Sequence, residues 1–387
     1  MRTASVLVIG AGVIGASVAY HLARRGWREI LVLDRSPGPG QGSTGKATGG
    51  FRAQYATPIN VRLSLLSREK LRCFREETGG NAGYHPAGYL WLASTAGELE
   101  VLRSARRVQH QEGLTEAVEV GPEDIALLNP AVNLDEVIGG VFCPSDGFIR
   151  PLDILGGYLT SARKLGVEVE WQVEVTGLRL GPGNRVAAVE TSRGPVSSTA
   201  VVNAAGAWAA QVAQWAGLDL PVAPLRRQVA VTAPTDLLPE GMPMTIFTAD
   251  GFHLRVRDGR VLLLWPTPGV PGQPFDTGVD DEWIEAVVEK AHRRVPVLRR
   301  ATIDRDACWA GLYEVSPDKH AILGAAPDCP NLFLANGCSG HGVMHAPALG
   351  QLLAEVMSDG TASTMDVSPL RPSRFREGDL NPVSELL

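Results

Sequence analysis

The chain opens with a strand-like pattern of hydrophobic residues that changes to a helix-like one. A β-branched run from Val6 to Ile9 is followed by helical spacing from Val13 to Arg25, which Gly26 ends. A second apolar run, Glu29 to Leu33, predicts another strand. Strand, helix and strand in this order are the building block of a parallel sheet, so the pattern predicts an α/β start.

Later segments return to this parallel-sheet pattern at residues 155–169, 196–215 and 331–357, and depart from it in two other segments. Residues 196–215 and 331–357 again read as strand, glycine-rich turn and helix. Residues 85–145 mix short strand-like pieces with an amphipathic helix, whereas residues 220–305 alternate polar and apolar side chains around a turn at Asp258 and Gly259. The predicted fold class is therefore α/β plus α+β: a Rossmann-like domain assembled from discontinuous segments, and a second domain built on an antiparallel sheet. We assign residues 1–84, 146–219 and 306–387 to the first domain and residues 85–145 and 220–305 to the second.

Composition narrows the classes of partner. The 387 residues carry a formal net charge of -6 and no basic run, so neither nucleic acid nor membrane insertion is expected. The apolar start is interrupted by glycines and His21, unlike a signal peptide or a membrane span. The five cysteines are scattered without a C-x-x-C pair, which favours a reducing cytoplasm and predicts no metal site.

A glycine motif follows the first strand directly. Gly10, Gly12 and Gly15 form G-x-G-x-x-G at the start of the first helix, where backbone N–H groups and the helix dipole favour a pyrophosphate. Asp34 follows the second strand, where an acidic residue binds ribose hydroxyls. The alternative is a glycine-rich packing turn without a ligand, and the motif alone does not separate FAD from NAD.

Two downstream turns decide between these cofactors. Asn203-Ala-Ala-Gly-Ala-Trp208 ends a predicted strand, and Ser339-Gly-His-Gly342 precedes the last long helix. With GAGVIGASVAYHLARRG, GFIRPLDILGGYLTSARKLGVEV and AGLYEVSPDKHAILG, they make the chain resemble the D-amino acid oxidase superfamily of FAD-dependent oxidoreductases, nearest to its sarcosine oxidase branch. The likeness covers nearly the whole chain and makes the first predicted domain the FAD-binding domain and the second the substrate-binding domain.

The resemblance implies FAD as cofactor and a set of residues that bind it. Val173 would lie under the adenosine, although the sequence is equally compatible with a core strand residue. The implied cofactor-binding residues are Gly10, Gly12, Val13, Ile14, Gly15, Asp34, Arg35, Ser43, Thr44, Ala47, Thr48, Val173, Ala205, Gly206, Trp208, Gly311, Gly340, His341, Gly342, Val343 and Met344.

The resemblance also implies four catalytic candidates. Arg52 matches an arginine beside flavin and substrate, and a planar guanidinium suits a carboxylate; a solvated surface arginine is the alternative. Tyr313 matches a substrate-contacting tyrosine. His341 and Met344 lie in the last turn, whose N–H groups would stabilise negative charge on reduced flavin. His341 is equally compatible with an ordinary helix cap.

Three departures from the sarcosine oxidase pattern change the expected chemistry. Gly311 stands where the monomeric enzymes attach flavin through cysteine, and Cys308 is out of register, so FAD is predicted to be non-covalent. Met344 replaces a lysine that contacts the substrate carboxylate, which leaves Arg52, Tyr313, or the pair His253 and Arg255 as donors. No lysine occurs between Lys164 and Lys290, where an oxygen-activating lysine would be expected.

The predicted function is oxidation of the C–N bond of sarcosine or another N-alkyl amino acid to an imine that hydrolyses, with O2 as acceptor giving H2O2. The alternatives are an L-proline- or dimethylglycine-type dehydrogenase, a glycine oxidase with another acceptor, and an FAD-holding subunit of a larger complex. A nicotinamide-dependent dehydrogenase would leave the glycine-rich turn at 339–342 without a role. Sequence gives no oligomeric state.

Overall fold

The computed structural model describes residues 2–268 and 273–383; residues 1, 269–272 and 384–387 of the predicted domain ranges lie outside the described residues. The described strands are β1 Arg2–Ile9, β2 Ile30–Asp34, β3 Gly50–Phe51, β4 Tyr89–Ala93, β5 Val118–Val120, β6 Gly139–Cys143, β7 Gly147–Phe148, β8 Glu168–Trp171, β9 Val175–Gly181, β10 Arg185–Thr191, β11 Val196–Asn203, β12 Ala223–Val231, β13 Met244–Phe247, β14 His253–Arg257, β15 Arg260–Leu264, β16 Trp309–Val315, β17 Ile322–Ala326 and β18 Cys329–Asn336.

The helices connect and cover these strands. The described α-helices are α1 Val13–Arg24, α2 Ser43–Lys46, α3 Pro58–Arg72, α4 Phe74–Thr78, α5 Ala96–Gln111, α6 Pro122–Leu128, α7 Pro151–Lys164, α8 Ala209–Gln214, α9 Asp281–Arg294, α10 Gly342–Asp359 and α11 Arg374–Glu377. Short 3-10 turns occupy Pro182–Asn184, Gly206–Trp208, Pro296–Arg300, Arg305–Ala307 and Ser368–Leu370. None of the described helices is long and apolar enough to cross a membrane.

The first sheet has the order β17-β18-β11-β1-β2-β8, with the β9-β10 hairpin attached to β11. Strands β1, β2, β8, β11 and β18 run parallel, and Ile9 pairs with both Leu33 and Asn203. The carboxyl ends of these strands therefore meet at one edge, where open α/β sheets bind ligands. Helices α1 and α10 pack against each other over one hydrophobic core, and α8 contributes to the core on the other face.

The second sheet has the order β16-β12-β15-β14-β13-β4-β6-β5 and is antiparallel except for the parallel pair β4 and β13. Its own core includes buried residues of α9. Strand β16 belongs to the segment 306–387 that the sequence assigns to the first domain, but it pairs with β12 in this second sheet. The two sheets confirm the predicted fold class of a Rossmann-like unit with a second, mainly antiparallel sheet.

Candidate active site

A cavity of about 760 Å³ extends from the carboxyl edge of the first sheet to the face of the second. Gly15 is not among the residues that line it; a Cβ at Gly15 would lie 1.9 Å from the carbonyl oxygen of Gly10, so glycine is needed there for close packing. All other predicted site residues line it: Gly10, Gly12, Val13, Ile14, Asp34, Arg35, Ser43, Thr44, Ala47, Thr48, Arg52, Val173, Ala205, Gly206, Trp208, Gly311, Tyr313, Gly340, His341, Gly342, Val343 and Met344.

The glycine motif brings backbone to the cavity wall. Gly10 has a φ of 103°, and a Cβ there would lie 2.4 Å from the carbonyl oxygen of Ala204, so only glycine fits. At Gly12 a Cβ would meet only the Thr44 hydroxyl, at 3.6 Å, so this glycine leaves space in front of the helix. Helix α1 begins at Val13 without an acidic residue in its first turn. No acidic side chain of the helix itself neutralises this positive end of the helix dipole, which therefore favours a pyrophosphate.

The loops beside this motif are held by side chains to backbone. Asp34 accepts hydrogen bonds from the N–H groups of Ala11 and Ser36, each at 2.8 Å. Thr44 Oγ1 accepts from the Val13 N–H at 3.1 Å, and Ser43 Oγ donates to the carbonyl of Leu312 at 2.6 Å. Each carboxylate oxygen of Asp34 keeps a second lone pair for a ribose hydroxyl. The glycine turn, the Asp34 carboxylate and the hydroxyl groups of Ser43 and Thr44, which brace the loop, together fit the pyrophosphate and ribose of FAD.

A layer of buried side chains around Arg52 forms one wall of the cavity, at the end opposite the glycine motif. The guanidinium carbon lies 4.2 Å from the ring centre of Tyr55, and Nη1 donates to the carbonyl of Gln54 at 3.1 Å. Nη2 lies 3.4 Å from His341 Nε2. Burial and the charge of Arg52 hold the pKa of His341 well below its usual range, so His341 is a neutral acceptor. The hydroxyl of Tyr55 donates to Met344 Sδ at 3.2 Å.

Arg52 is buried. The alternative interpretation of its sequence position, as a solvated surface arginine, is therefore wrong. Met344 is also buried and brings an uncharged thioether to the wall. Among the described residues, no group of histidine, cysteine, aspartate or glutamate is arranged to hold a metal ion.

Tyr313 lies against the turn that begins α10. Gly340 has a φ of 94°, and a Cβ there would lie 2.4 Å from the Tyr313 ring, so this glycine allows the ring to stack on the turn. Tyr313 as a whole residue is 36% exposed and lines the cavity. It therefore has a free face toward the cavity.

The second sheet contributes residues that sequence motifs do not mark. Arg227 and His253 line the cavity, whereas Arg255 does not. Arg255 is buried and donates to the carbonyls of Thr48 and Gly49 at 2.8 and 3.1 Å. Burial lowers the pKa of His253 to about 4, which keeps it neutral. The pair His253 and Arg255 is thus not a solvated sheet face, because His253 lines the cavity and Arg255 is buried against the loop at Thr48 and Gly49.

The position matching the flavin-linking cysteine has no nucleophile. A Cβ at Gly311 would lie 2.7 Å from Lys46 Cβ, and Cys308 Sγ bonds to the carbonyl of Asp304 and the N–H of Val231. Lys46 and Lys319 line the cavity, although neither lies between Lys164 and Lys290. The lysine-free segment therefore does not leave the cavity without amines.

Comparisons with known proteins agree with this geometry. The family model described as FAD dependent oxidoreductase (DAO) matches residues 5–356. The chain is 31% identical to mitochondrial dimethylglycine dehydrogenase of Rattus norvegicus over 96% of its own length, but it spans only 45% of that relative.

Two solved structures share the fold across both chains. L-proline dehydrogenase from P. horikoshii has a TM-score of 0.90 and 27% identity, covering 98% of this chain and 100% of that one. Glycine oxidase from Geobacillus kaustophilus has a TM-score of 0.83 and 26% identity, covering 97% and 99%. With a family match over most of its length and a cavity that fits FAD, the chain belongs to the DAO family of FAD-dependent oxidoreductases.

Proposed function

We propose that this enzyme oxidises the C–N bond of a small secondary amino acid, sarcosine or another N-alkyl amino acid, to an imine that hydrolyses. The observation that carries the proposal is one continuous cavity joining the dinucleotide cradle at Gly10 to a polar end at Arg52 and Tyr313. The similar proteins are named for dimethylglycine, L-proline and glycine, and these names support the proposal that the substrate is a small amino acid.

The predicted site residues divide into two proposed groups. Arg52, Tyr313, His341 and Met344 form the reacting end, and the glycine, aspartate and hydroxyl positions of the cradle hold the dinucleotide. We also propose that residues 1–84, 146–219 and 306–387 form the FAD-binding domain and residues 85–145 and 220–305 the substrate-binding domain. The scattered cysteines support the cytoplasm as the compartment.

The chain's contribution to chemistry is to orient the amine and keep it neutral. FAD, when bound, supplies the electron acceptor for the C–H bond next to nitrogen. A protonated amine has no lone pair to assist loss of that hydrogen, and a second cation beside buried Arg52 is unfavourable, so the site favours the neutral amine. The N–H groups at the start of α10, from Gly342 to Met344, stabilise negative charge that develops nearby. Water then adds to the released imine, giving a smaller amine and a carbonyl compound.

For the acceptor we propose O2, which is reduced to H2O2. Lys46 and Lys319 support it, because both residues line the cavity and a cation close to the reduced cofactor would stabilise developing negative charge on oxygen. A dehydrogenase that passes electrons to another acceptor is the second candidate, and the likeness to two enzymes named dehydrogenases favours it.

The test is the visible spectrum of the purified protein under anaerobic conditions, before and after addition of sarcosine, L-proline, dimethylglycine and glycine in turn. We expect oxidised-flavin bands that bleach with one of the N-alkyl amino acids. Admitting air then separates the acceptors: rapid recovery of the bands with H2O2 supports the oxidase, and a bleached spectrum that persists supports the dehydrogenase. A flavin spectrum that no amine bleaches contradicts the proposal and favours an FAD-holding subunit.

A further inference from the structure

Arg227 occupies a position on the second sheet that faces the reacting end of the cavity. It lies on β12 directly opposite Gly311 of β16, and Leu225 two residues earlier lies opposite Tyr313. Residues two apart on a strand share a face, so Arg227 and Tyr313 are diagonal neighbours on the side that lines the cavity. The guanidinium carbon of Arg227 lies 5.5 Å from the centre of the Tyr313 ring.

No acidic side chain of the described residues forms an ion pair with Arg227. Its Nη1 donates to the carbonyl oxygens of Thr267, at 2.6 Å, and Arg226, at 3.3 Å. Its neighbour Arg226 differs, because it pairs with Asp276 at 2.7 Å and Asp280 at 2.5 Å. Burial lowers the pKa of Arg227, as expected for a cation removed from water without a counter-ion.

The other arginines near the site are already engaged. Arg52 is enclosed by two aromatic rings, the Gln54 carbonyl and His341, and it interacts electrostatically with the buried carboxylate of Asp146. Arg255 uses its donors on the carbonyls of Thr48 and Gly49 and does not reach the cavity wall. Arg227 is therefore the arginine best placed to receive an anion from the cavity.

We infer that Arg227 binds the carboxylate of the substrate and selects amines that carry one, with Tyr313 beside it. This inference rests on the proposed function, because it assigns the carboxylate partner that Met344 does not provide. A guanidinium and a carboxylate form charge-assisted hydrogen bonds, which are stronger when water is excluded. The residue touches the non-reacting end of the substrate, so its loss weakens binding of amino acids more than of uncharged amines.

The test compares two substrates that differ only in the carboxylate: sarcosine and sarcosine methyl ester. In Arg227→Met we expect kcat/KM for sarcosine to fall roughly 100- to 1,000-fold, the usual cost of losing one partner of a buried charge pair. The value for the methyl ester should change less than about threefold, because the ester makes no ion pair. Arg227→Lys retains charge without the planar fork and should recover part of the loss.

The matched control is Arg260→Gln, which removes the same charge from the same sheet. Arg260 pairs with Asp304 at 2.7 Å and lies outside the cavity wall. In Arg260→Gln we expect the ratio of kcat/KM for sarcosine to kcat/KM for the methyl ester to equal that of the wild type. An equal fall for both substrates in Arg227→Met would overturn the inference, since it would reveal a structural role only.

A second readout separates this inference from the proposed function. Propionate carries a carboxylate but no amine, and its binding is followed by the shift it causes in the visible flavin bands. We expect saturable binding to the wild-type holoenzyme and at least roughly 100-fold weaker binding to Arg227→Met. Equal binding to both proteins would refute the role of Arg227, whichever amine is oxidised. Loss of propionate binding in a protein that oxidises no amine would support the carboxylate site and reject the oxidation.

Discussion

Glu314 of β16 lies on the cavity wall, and its hydrogen bonds connect this strand to the turn before α10. Its Oε1 accepts from the N–H of Cys338 at 3.3 Å, and its backbone carbonyl accepts from the N–H of Ser339 at 2.9 Å. Oε2 is buried without a hydrogen-bond partner among the described residues. A buried carboxylate with one satisfied oxygen is costly, so the neutral acid is favoured.

This side chain makes stability depend on pH. Burial raises the pKa of Glu314 to about 7, against 4.5 for the unperturbed group. The folded protein therefore keeps a proton that the unfolded chain releases between these values, and the free energy of unfolding falls as pH rises through this window. The contribution is on the order of 3 kcal/mol, complete below about pH 4.5 and lost by about pH 7.

The measurement is chemical unfolding of the holoenzyme at several values between pH 5 and pH 7.5. Glu314→Gln removes the titrating group, so we expect a smaller loss of unfolding free energy across this range than in the wild type. Glu76→Gln, at an exposed position, is the control and should keep the wild-type slope. An unchanged slope in Glu314→Gln would show that Glu314 does not carry the dependence.

At the scale of elements, the site depends on how closely α10 approaches α1. Gly350 of α10 faces Ser17 of α1, and a Cβ at Gly350 would lie 2.1 Å from Ser17 Oγ and 2.7 Å from the Ser17 carbonyl carbon. Ser17 Oγ donates to the carbonyl of Ala346 at 2.7 Å, which ties the helices together. Because the N-terminal ends of both helices line the cavity, this contact sets the distance between the two turns.

We predict that Gly350→Ala destabilises the protein by roughly 1–3 kcal/mol, because the added methyl group meets backbone as well as a hydroxyl. Gly156→Ala in α7 is the opposite case. No atom lies within 4 Å of a Cβ at that position, so the better helix propensity of alanine should stabilise by roughly 0.5–1 kcal/mol. Urea unfolding of both variants measures the difference. Equal free energies of unfolding for the two variants would contradict the prediction, since they would show that α1 and α10 can move apart without an energetic cost.

The local elements were predictable because their signals are local. The opening strand, helix and strand predicted at 6–9, 13–25 and 29–33 are observed at Arg2–Ile9, Val13–Arg24 and Ile30–Asp34. Strand partners are not encoded locally. Strands β4 and β13 pair in parallel across more than 150 residues, and β16 joins the second sheet although it lies in the segment 306–387 that the sequence assigns to the first domain. Alternating side chains predict a sheet but not which strand lies beside which.

At the scale of the whole molecule, the cavity wall is assembled from turns far apart in sequence. Its dinucleotide end was predictable, because glycine motifs at strand ends have a direct steric meaning. Arg227, Glu314 and Lys319 were missed, since each sits in an ordinary strand or loop pattern and faces the cavity only through long-range pairing. Gly15, predicted to bind the cofactor, is not among the residues that line the cavity, and a Cβ at this position would meet the Gly10 carbonyl; its role in cofactor binding stays a prediction.

The same assembly bears on how FAD is retained. Cys338 is the one cysteine on the described cavity wall; burial raises its pKa well above the usual range, and Glu314 raises it further once that carboxyl group is ionised. A protonated, buried thiol is a poor nucleophile. Gly311 has no side chain to link, and Cys308 points to Asp304 and Val231.

We therefore predict that FAD is held without a covalent bond, by the glycine cradle and the loops around Asp34 and Thr44. Acid precipitation should leave a colourless pellet and a yellow supernatant, and the denatured chain should have the mass of the polypeptide alone. Gly10→Val tests the cradle in the same assay, because its side chain would collide with the Ala204 carbonyl and yield protein purified without colour. Colour that stays with the precipitated wild-type protein would reject this prediction, and peptide mapping of the yellow fragment would identify the linking residue.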